Sequence, residues 1–165
     1  MLLDSMFDIK NIIDFSLLLI IYKGLFYRRW KKDTETFMLR TIFYIYISGI
    51  LWVTLMPVIL NLRCVHAPYV PMHMVPFEDL IMHRQNALLQ IILNIIMMIP
   101  MGYFLPKIYK TKGFTTILIV FLVSLSIETL QPLLTSVRTA DITDLITNTF
   151  GGLMGYLIYI KKAPK

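Results

Sequence analysis

Six polar side chains that could bind or transform a polar ligand lie within one short stretch of an otherwise apolar chain. They are Glu128, Gln131, Arg138, Asp141, Asp144 and Asn148. Placing a charged side chain inside a membrane costs about 3 kcal/mol or more unless it is paired, so such groups are rare there and usually functional. Carboxylates can transfer protons, and a guanidinium can bind phosphate or carboxylate oxygens. The stretch is therefore the first candidate for a functional site.

The spacing of these residues places them on helix faces. Asp141, Asp144 and Asn148 recur every three or four residues, so they share one face of any helix that continues through Asn148. Glu128 and Gln131 share a face of the preceding helix in the same way. We expect the two faces to look at each other near the outer surface of a membrane.

The composition indicates an integral membrane protein. Of the 165 residues, 57% are hydrophobic and 16% are charged, whereas soluble domains have about 45–50% apolar and about 25% charged residues. The single cysteine excludes an intrachain disulfide, and the acidic N-terminus lacks the features of a signal peptide. We predict one integral membrane domain over residues 1–165.

Five segments are candidates for membrane spans, which need about 20 mostly apolar residues. They are Ile9–Phe26, Met38–Leu60, Ala87–Leu105, Phe114–Leu134 and Asp144–Ile160. The first is the weakest, and an interfacial helix is its alternative. The sequence therefore predicts an all-α membrane protein, a compact bundle of five transmembrane helices.

The cations predict the orientation of this bundle. Twelve of the 16 Lys and Arg residues fall in the first connection, the third connection and the C-terminal tail, all on one side. Such a bias marks the cytoplasmic side. We expect the N-terminus outside, the C-terminus in the cytoplasm of a bacterium, and contacts between these cations and anionic lipids. Nucleic acid is not needed to explain the net charge of +6.

Three predicted spans carry polar side chains at a similar depth. At about 1.5 Å per residue, Asn94 lies about 10 Å inside the third span, and Glu128 about 6–9 Å inside the fourth. Asn148 lies about as far inside the fifth span. We therefore predict an outward-facing polar cavity between these three helices.

Simpler structural roles exist for several of these residues. Asp141 or Thr143 could cap the fifth helix, because carboxylates and hydroxyls accept its free N–H groups. Asn94 is an obvious candidate for a hydrogen-bond partner of Asn148, although the sequence does not decide whether the two side chains meet. Arg138 could bind either a neighbouring carboxylate or a lipid phosphate.

A glycine pattern continues the polar face of the fifth span. Gly151, Gly152 and Gly155 contain a G-x-x-x-G spacing, which is typical of closely packed membrane helices. We predict that this packing fixes Asp144 and Asn148 in position.

The loop between the second and third spans holds Cys64, His66, His73 and His83. Their spacing matches no compact metal-ligand pattern, so we predict no metal and no cofactor. The prolines of the loop favour an ordered cap, and residues 74–77 resemble an amphipathic re-entry.

At these residues the chain resembles the VanZ-like membrane proteins. The matching pieces are Thr54–Pro57, Val75–Phe77, Asn94–Gly102, Ile127-Glu128-x-x-Gln131, Arg138-x-x-Asp141-Ile-x-Asp144-Leu-Ile-x-Asn148-Thr and Gly151-Gly152-x-x-Gly155, which cover about residues 50–160. Ala140 and His73 depart from the usual pattern. The resemblance implies a cell-envelope role, because the namesake is linked to low-level resistance to teicoplanin, a glycopeptide antibiotic with an acyl tail.

Three functions follow as hypotheses. The first is recognition of an amphiphile, either a lipoglycopeptide or an envelope lipid. Its headgroup would lie on Glu128, Arg138, Asp141 and Asp144, while Asn94, Gln131 and Asn148 orient its polar groups. The second is an enzyme acting on a lipid-linked sugar or phosphate, with Glu128 as general acid or base and Asp141 and Asp144 assisting or holding Mg²⁺. The third is a structural partner whose polar residues only lock its helices together.

Overall fold

The computed structural model of the chain describes residues 9–55, 71–134 and 139–162. The described helices are α1 (Ile9–Ile21), α2 (Arg28–Trp30), α3 (Thr34–Leu55), α4 (Glu78–Ile81), α5 (Ala87–Tyr109), α6 (Gly113–Leu134) and α7 (Ile142–Lys162). A π-helical segment, Tyr22–Tyr27, joins α1 to α2. The described residues are otherwise helix, loop and one isolated β-bridge, which agrees with the all-α prediction.

Three of the described helices are long and apolar enough to cross a membrane, namely α3, α5 and α6. The 13-residue α1 and the more polar α7 are not among them. A protein with several membrane-crossing helices is therefore supported. The count of five spans and the orientation of the termini stay predictions.

The described residues fall into two compact units, 9–55 with 133–134, and 71–132 with 139–162. In the first unit, aromatic rings join the π-helical segment to α3, with 5.2 Å between the ring centroids of Tyr22 and Tyr44. The Tyr44 hydroxyl also donates a hydrogen bond to the carbonyl of Leu18 at 2.8 Å. Tyrosine suits such positions because its ring is apolar while its hydroxyl needs a partner.

Asp33 fixes the start of α3. Its Oδ2 accepts a hydrogen bond from the Thr36 hydroxyl at 2.6 Å, and its Oδ1 faces the Thr36 backbone N–H at 3.4 Å. The Thr36 hydroxyl, with a smaller contribution from Arg40, lowers the pKa of Asp33 against the opposing effect of desolvation. Asp33 therefore acts as a helix cap, as expected for a carboxylate before a first helical turn.

In the second unit, α5 and α7 touch backbone to backbone. A Cβ atom on Gly151 would overlap the carbonyl of Ile95, and one on Gly155 would overlap the carbonyl of Ile99. From Gly151 to Gly155 along α7, the contact moves from Ile95 to Ile99 along α5. The two helices therefore run in the same direction. The N-terminal ends of α5 and α7 consequently lie at the same end of the unit.

Two further glycines complete this packing. A Cβ atom on Gly102 would overlap the carbonyl of Gly152, and one on Gly152 would lie 2.6 Å from a Val120 methyl of α6. Val120 of α6 and Met98 and Met101 of α5 are almost completely buried. The core of this unit therefore lies where α5, α6 and α7 meet.

The outer faces of the same helices remain apolar. Large exposed side chains include Leu88, Leu93 and Ile96 on α5, Leu122 on α6 and Phe150 on α7. Helices that are apolar on the face turned away from the core are typical of proteins in contact with lipid.

We predict that Gly151→Ala destabilises the protein, whereas Gly49→Ala does not. The new methyl of Gly151→Ala must displace the backbone of α5, and overpacking of this kind costs about 1–3 kcal/mol. Gly49 lies inside α3, where an added Cβ atom would meet no other atom within 4 Å, so alanine there stabilises by about 0.5–1 kcal/mol through its helix propensity. Thermal unfolding of purified protein in one detergent measures both. A melting temperature unchanged by Gly151→Ala contradicts the close contact.

Candidate functional site

The N-terminal end of α7 is capped by Asp141. Its carbonyl accepts a hydrogen bond from Leu145 N–H at 3.3 Å, and its Oδ1 accepts one from Thr143 N–H at 2.7 Å. Of the two caps considered from sequence, Asp141 therefore caps the helix. The Thr143 hydroxyl instead accepts a hydrogen bond from Phe77 N–H at 2.9 Å.

Glu128 of α6 reaches the same helix end. Its Oε2 accepts a hydrogen bond from the backbone N–H of Asp141 at 3.1 Å, and its side chain is only 2% exposed. The free N–H groups and the dipole at a helix N-terminus favour a nearby negative charge. This explains how carboxylates from α6 and α7 can lie together in a mostly apolar unit.

Asp144 links α7 to α5. Its Oδ1 accepts a hydrogen bond from Nδ2 of Asn94 at 2.7 Å. A bond to an ionised acceptor is shorter and stronger than a neutral one. The pair joins two helices that come into close contact about two turns further along α7, where Gly151 faces the backbone of Ile95.

Asn148 pairs with α6 rather than with α5. Its Nδ2 donates to Oγ of Ser124 at 2.9 Å, and both side chains are almost completely buried. Its Oδ1 is buried without a hydrogen-bond partner among the described residues. The Asn94–Asn148 bond that the sequence left open is not formed, because Asn94 is turned toward Asp144.

Sequence reasoning did not select Ser124 as a site residue. It lies four residues before Glu128 and therefore on the same face of α6. The four-residue spacing between Ser124 and Glu128 is the sequence feature that could have identified Ser124 as part of the site. Gln131, another candidate, is buried near the end of α6.

The segment of residues 71–77, which precedes α4, covers the start of α7. The backbone N–H of His73 donates to the carbonyl of Ala140 at 2.8 Å, and Ile142 N–H donates to the carbonyl of His73 at 3.0 Å. The His73 side chain contacts Glu78 with 2.6 Å between Nε2 and Oε2. Phe77 has a φ angle of 59°, which is unusual for an aromatic residue and turns the chain into α4.

A cavity of ≈ 20 Å³ lies among the covering segment at Phe77, α4, α5 and the start of α7. Its polar lining residues include Asp79, Gln90, Asp141 and Asp144. Glu128 and Asn148 do not line it, so it differs from the cavity between α5, α6 and α7 that the sequence predicts.

A larger open groove adjoins the cavity, since Leu80 and Ala87 line both. Its volume is ≈ 490 Å³, and its other lining residues are His83, Arg84, Asn86, Leu88 and Leu89. Arg84 keeps an ion pair with Asp79, with 2.8 Å between Nη1 and Oδ1. The groove thus combines apolar side chains with a cation beside the acidic cavity.

Several candidate residues cannot be placed in this site. Arg138, Cys64 and His66 lie outside the described residues. Their predicted roles therefore stay predictions, as does the absence of a cofactor.

The family is decided by comparison with known proteins. A family model described as VanZ/LLP1 matches residues 43–162. The chain belongs to the VanZ/LLP1 family. The matched region contains α5, α6 and α7, and with them every polar contact between helices described above for the second unit. This confirms the VanZ-like resemblance seen in the motifs.

A curated relative supports the VanZ/LLP1 assignment. Protein VanZ from Enterococcus faecium is 39% identical over 67 residues, which are 40% of this chain and 41% of that protein. The match therefore spans about two fifths of the relative's length. No solved structure matches the chain.

We predict that Asn94 and Asp144 are energetically coupled. Hydrogen bonds between membrane helices contribute about 0.6 kcal/mol on average and up to about 1.7 kcal/mol. With a charged acceptor, we expect about 1 kcal/mol in a double-mutant cycle of Asn94→Ala and Asp144→Ala, measured by unfolding in detergent. Asn94→Ala combined with Ser126→Ala is the control and should be additive. An additive Asn94/Asp144 cycle contradicts the pair.

We predict that Ser124→Ala lowers the free energy of unfolding by about 1 kcal/mol, because it leaves a second polar atom of Asn148 buried without a partner. Ser126→Ala is the matched control. Ser126 lies on the exposed side of α6, and its hydroxyl donates to the carbonyl of Leu122 in its own helix. Equal melting temperatures for the two variants would show that the Ser124–Asn148 contact contributes nothing.

Proposed function

We propose that this VanZ/LLP1 protein binds the polar headgroup of a cell-envelope amphiphile in the acidic cavity and holds the remainder of the molecule in the adjoining groove. The observation that carries the proposal is that Leu80 and Ala87 line both the cavity and the groove. One is small and polar, and the other is large, open and partly apolar. An amphiphile likewise consists of a polar headgroup and an apolar part.

The cavity selects for hydrogen-bond donors. Asp141 and Asp144 supply carboxylate oxygens, and Gln90 supplies an amide. Ionised carboxylates only accept hydrogen bonds. Hydroxyl and ammonium groups are therefore the favoured occupants, whereas a phosphate or a carboxylate would be repelled.

The size of the cavity limits what can enter. A volume of ≈ 20 Å³ holds one water-sized group, since a single water needs about 10–15 Å³ by this kind of measure. One hydroxyl or ammonium group thus reaches Asp144, and the rest of the headgroup lies outside.

The groove suits the rest of such a molecule. Its ≈ 490 Å³ falls within the range of about 300–1,000 Å³ that is usual for small-molecule sites. Leu80, Leu88 and Leu89 offer apolar contact, while the exposed guanidinium of Arg84 can meet an anionic oxygen. A lipoglycopeptide such as teicoplanin, with its hydroxyl and amino groups and its acyl tail, has this chemistry. An envelope lipid with a sugar or amino headgroup has it as well.

A structural role is the second candidate, and one observation favours it. Asn94 bonds Asp144 and Ser124 bonds Asn148, so that polar pairs connect three helices. Polar pairs of this kind can serve only to hold a membrane bundle together. Stability and ligand binding must therefore be measured on the same variants.

We predict that Asp144→Asn weakens teicoplanin binding by about tenfold, because it replaces a charged acceptor worth about 1.4 kcal/mol to a donor in the cavity. Binding is measured by calorimetry on protein in lipid nanodiscs. Teicoplanin susceptibility of bacteria expressing each variant is the cellular readout. Glu35→Gln, which removes an exposed carboxylate at the start of α3, is the matched control and should change neither value.

The acyl tail provides a second arm of this experiment. A glycopeptide without the tail should bind the unchanged protein more weakly, because it leaves the apolar part of the groove unfilled. Unchanged teicoplanin affinity in folded Asp144→Asn protein contradicts the proposal. A lower melting temperature with unchanged affinity would instead favour the structural role.

A further inference from the structure

A cluster of large apolar side chains is exposed beside the candidate site. Met74, Val75, Ile81 and Met82 have between 52% and 71% of their surface exposed. They lie close together along the chain. Met74 and Val75 belong to the segment that covers the start of α7, whereas Ile81 ends α4 and Met82 follows it. Contiguous exposed apolar surface marks a site of contact with another molecule or with a membrane.

The fold forces these side chains outward. The inner side of the segment is fixed to α7 by the backbone bonds of His73 to Ala140 and Ile142, and by the bond from Phe77 N–H to Thr143. The His73–Glu78 contact then joins the extended part of the segment to α4. With that side occupied, Met74 and Val75 are left exposed on the segment, and Ile81 and Met82 are exposed at the end of α4.

The position of the cluster points to lipid as its partner. Residues 82–86 separate α4 from α5, and α5 is long and apolar enough to cross a membrane. The first turns of α5 also expose apolar side chains, namely Leu88, Leu89 and Ile92. The cluster therefore lies a few residues along the chain from a surface suited to the hydrocarbon of the bilayer.

The residues between the cluster and α5 fit the headgroup layer. His83, Arg84, Gln85 and Asn86 are all exposed and polar. Arginine keeps its guanidinium among phosphates while its stem covers apolar surface. This order, with an apolar cluster, then polar residues, then an apolar helix, is the order met by a chain that runs along an interface before entering the membrane.

We infer that residues 74–82 form a membrane-docking surface that lies in the boundary between lipid headgroups and acyl chains, beside the start of α5. This inference goes beyond ligand recognition and holds whether or not the cavity binds an amphiphile. Docking also places the mouth of the groove at the lipid–water boundary, because Leu80, His83 and Arg84 line that groove.

Spin labelling tests the docking directly. The chain has a single cysteine, Cys64, so Cys64→Ser gives a background on which Ile81→Cys carries the only nitroxide. The protein is reconstituted into phosphatidylcholine vesicles, and collision rates are measured with oxygen, which concentrates in the bilayer, and with a water-soluble nickel chelate. Leu93→Cys, on the exposed face of α5, is the control inside the membrane.

The expected result is an intermediate depth for the label at position 81, with an oxygen-to-nickel ratio several-fold below that at position 93 but well above that of a label in water. Met74→Cys is a second variant and should give a similar ratio. High nickel collision rates without oxygen enrichment at both positions would overturn the docking surface. Shielding from both reagents would also overturn it and would show that protein, such as a second copy of the chain, covers the cluster.

Discussion

The backbone contact between α5 and α7 is the constraint on which the rest of the second unit depends. Gly151 and Gly155 lie against the carbonyls of Ile95 and Ile99, where any side chain would overlap the backbone. This approach is possible only because glycine has no Cβ atom. It brings the two helices close enough for the short side chains of Asn94 and Asp144 to meet at 2.7 Å. The site therefore rests on residues that carry no functional group.

The polar groups of the site are stabilised by the helix end that they surround. Glu128 accepts the N–H of Asp141, and Asp141 itself caps α7. The positive end of the helix dipole offsets part of the mutual repulsion of these carboxylates. Further along α7, the buried Oδ1 of Asn148 has no hydrogen-bond partner among the described residues. An unsatisfied atom of this kind costs about 1–3 kcal/mol, so Asn148 is the least satisfied polar residue described in this unit.

The starts of two helices were predictable from the sequence, whereas α3 begins four residues before the expected second span and α5 ends four residues after the expected third span. The third expected span and α5 both begin at Ala87, and the fourth expected span begins one residue after α6 does. Apolar runs and their flanking turn residues determine such limits. The close packing at the glycines also corresponds to a known spacing pattern, although its partner on α5 could not be inferred from α7 alone.

The pairing of the polar side chains could not be predicted in the same way. Spacing shows that Asn94 and Asn148 both lie in apolar segments, but the rotation of each helix about its axis decides which side chains meet. Asn94 is turned to Asp144, while Asn148 is turned to Ser124. The bridge between His73 and Asp141 joins residues far apart in sequence, and no local pattern indicates it.

The most direct test of this account is a solid-state NMR measurement on the protein in lipid bilayers. Dipolar coupling between the side-chain nitrogen of Asn94 and the carboxyl carbon of Asp144 reports their distance, with Asn94→Ser used to assign the signal. The account predicts a strong coupling, as required by the 2.7 Å contact between Nδ2 and Oδ1. Absence of this coupling in a sample that retains the contact between Gly151 and Ile95 would contradict it.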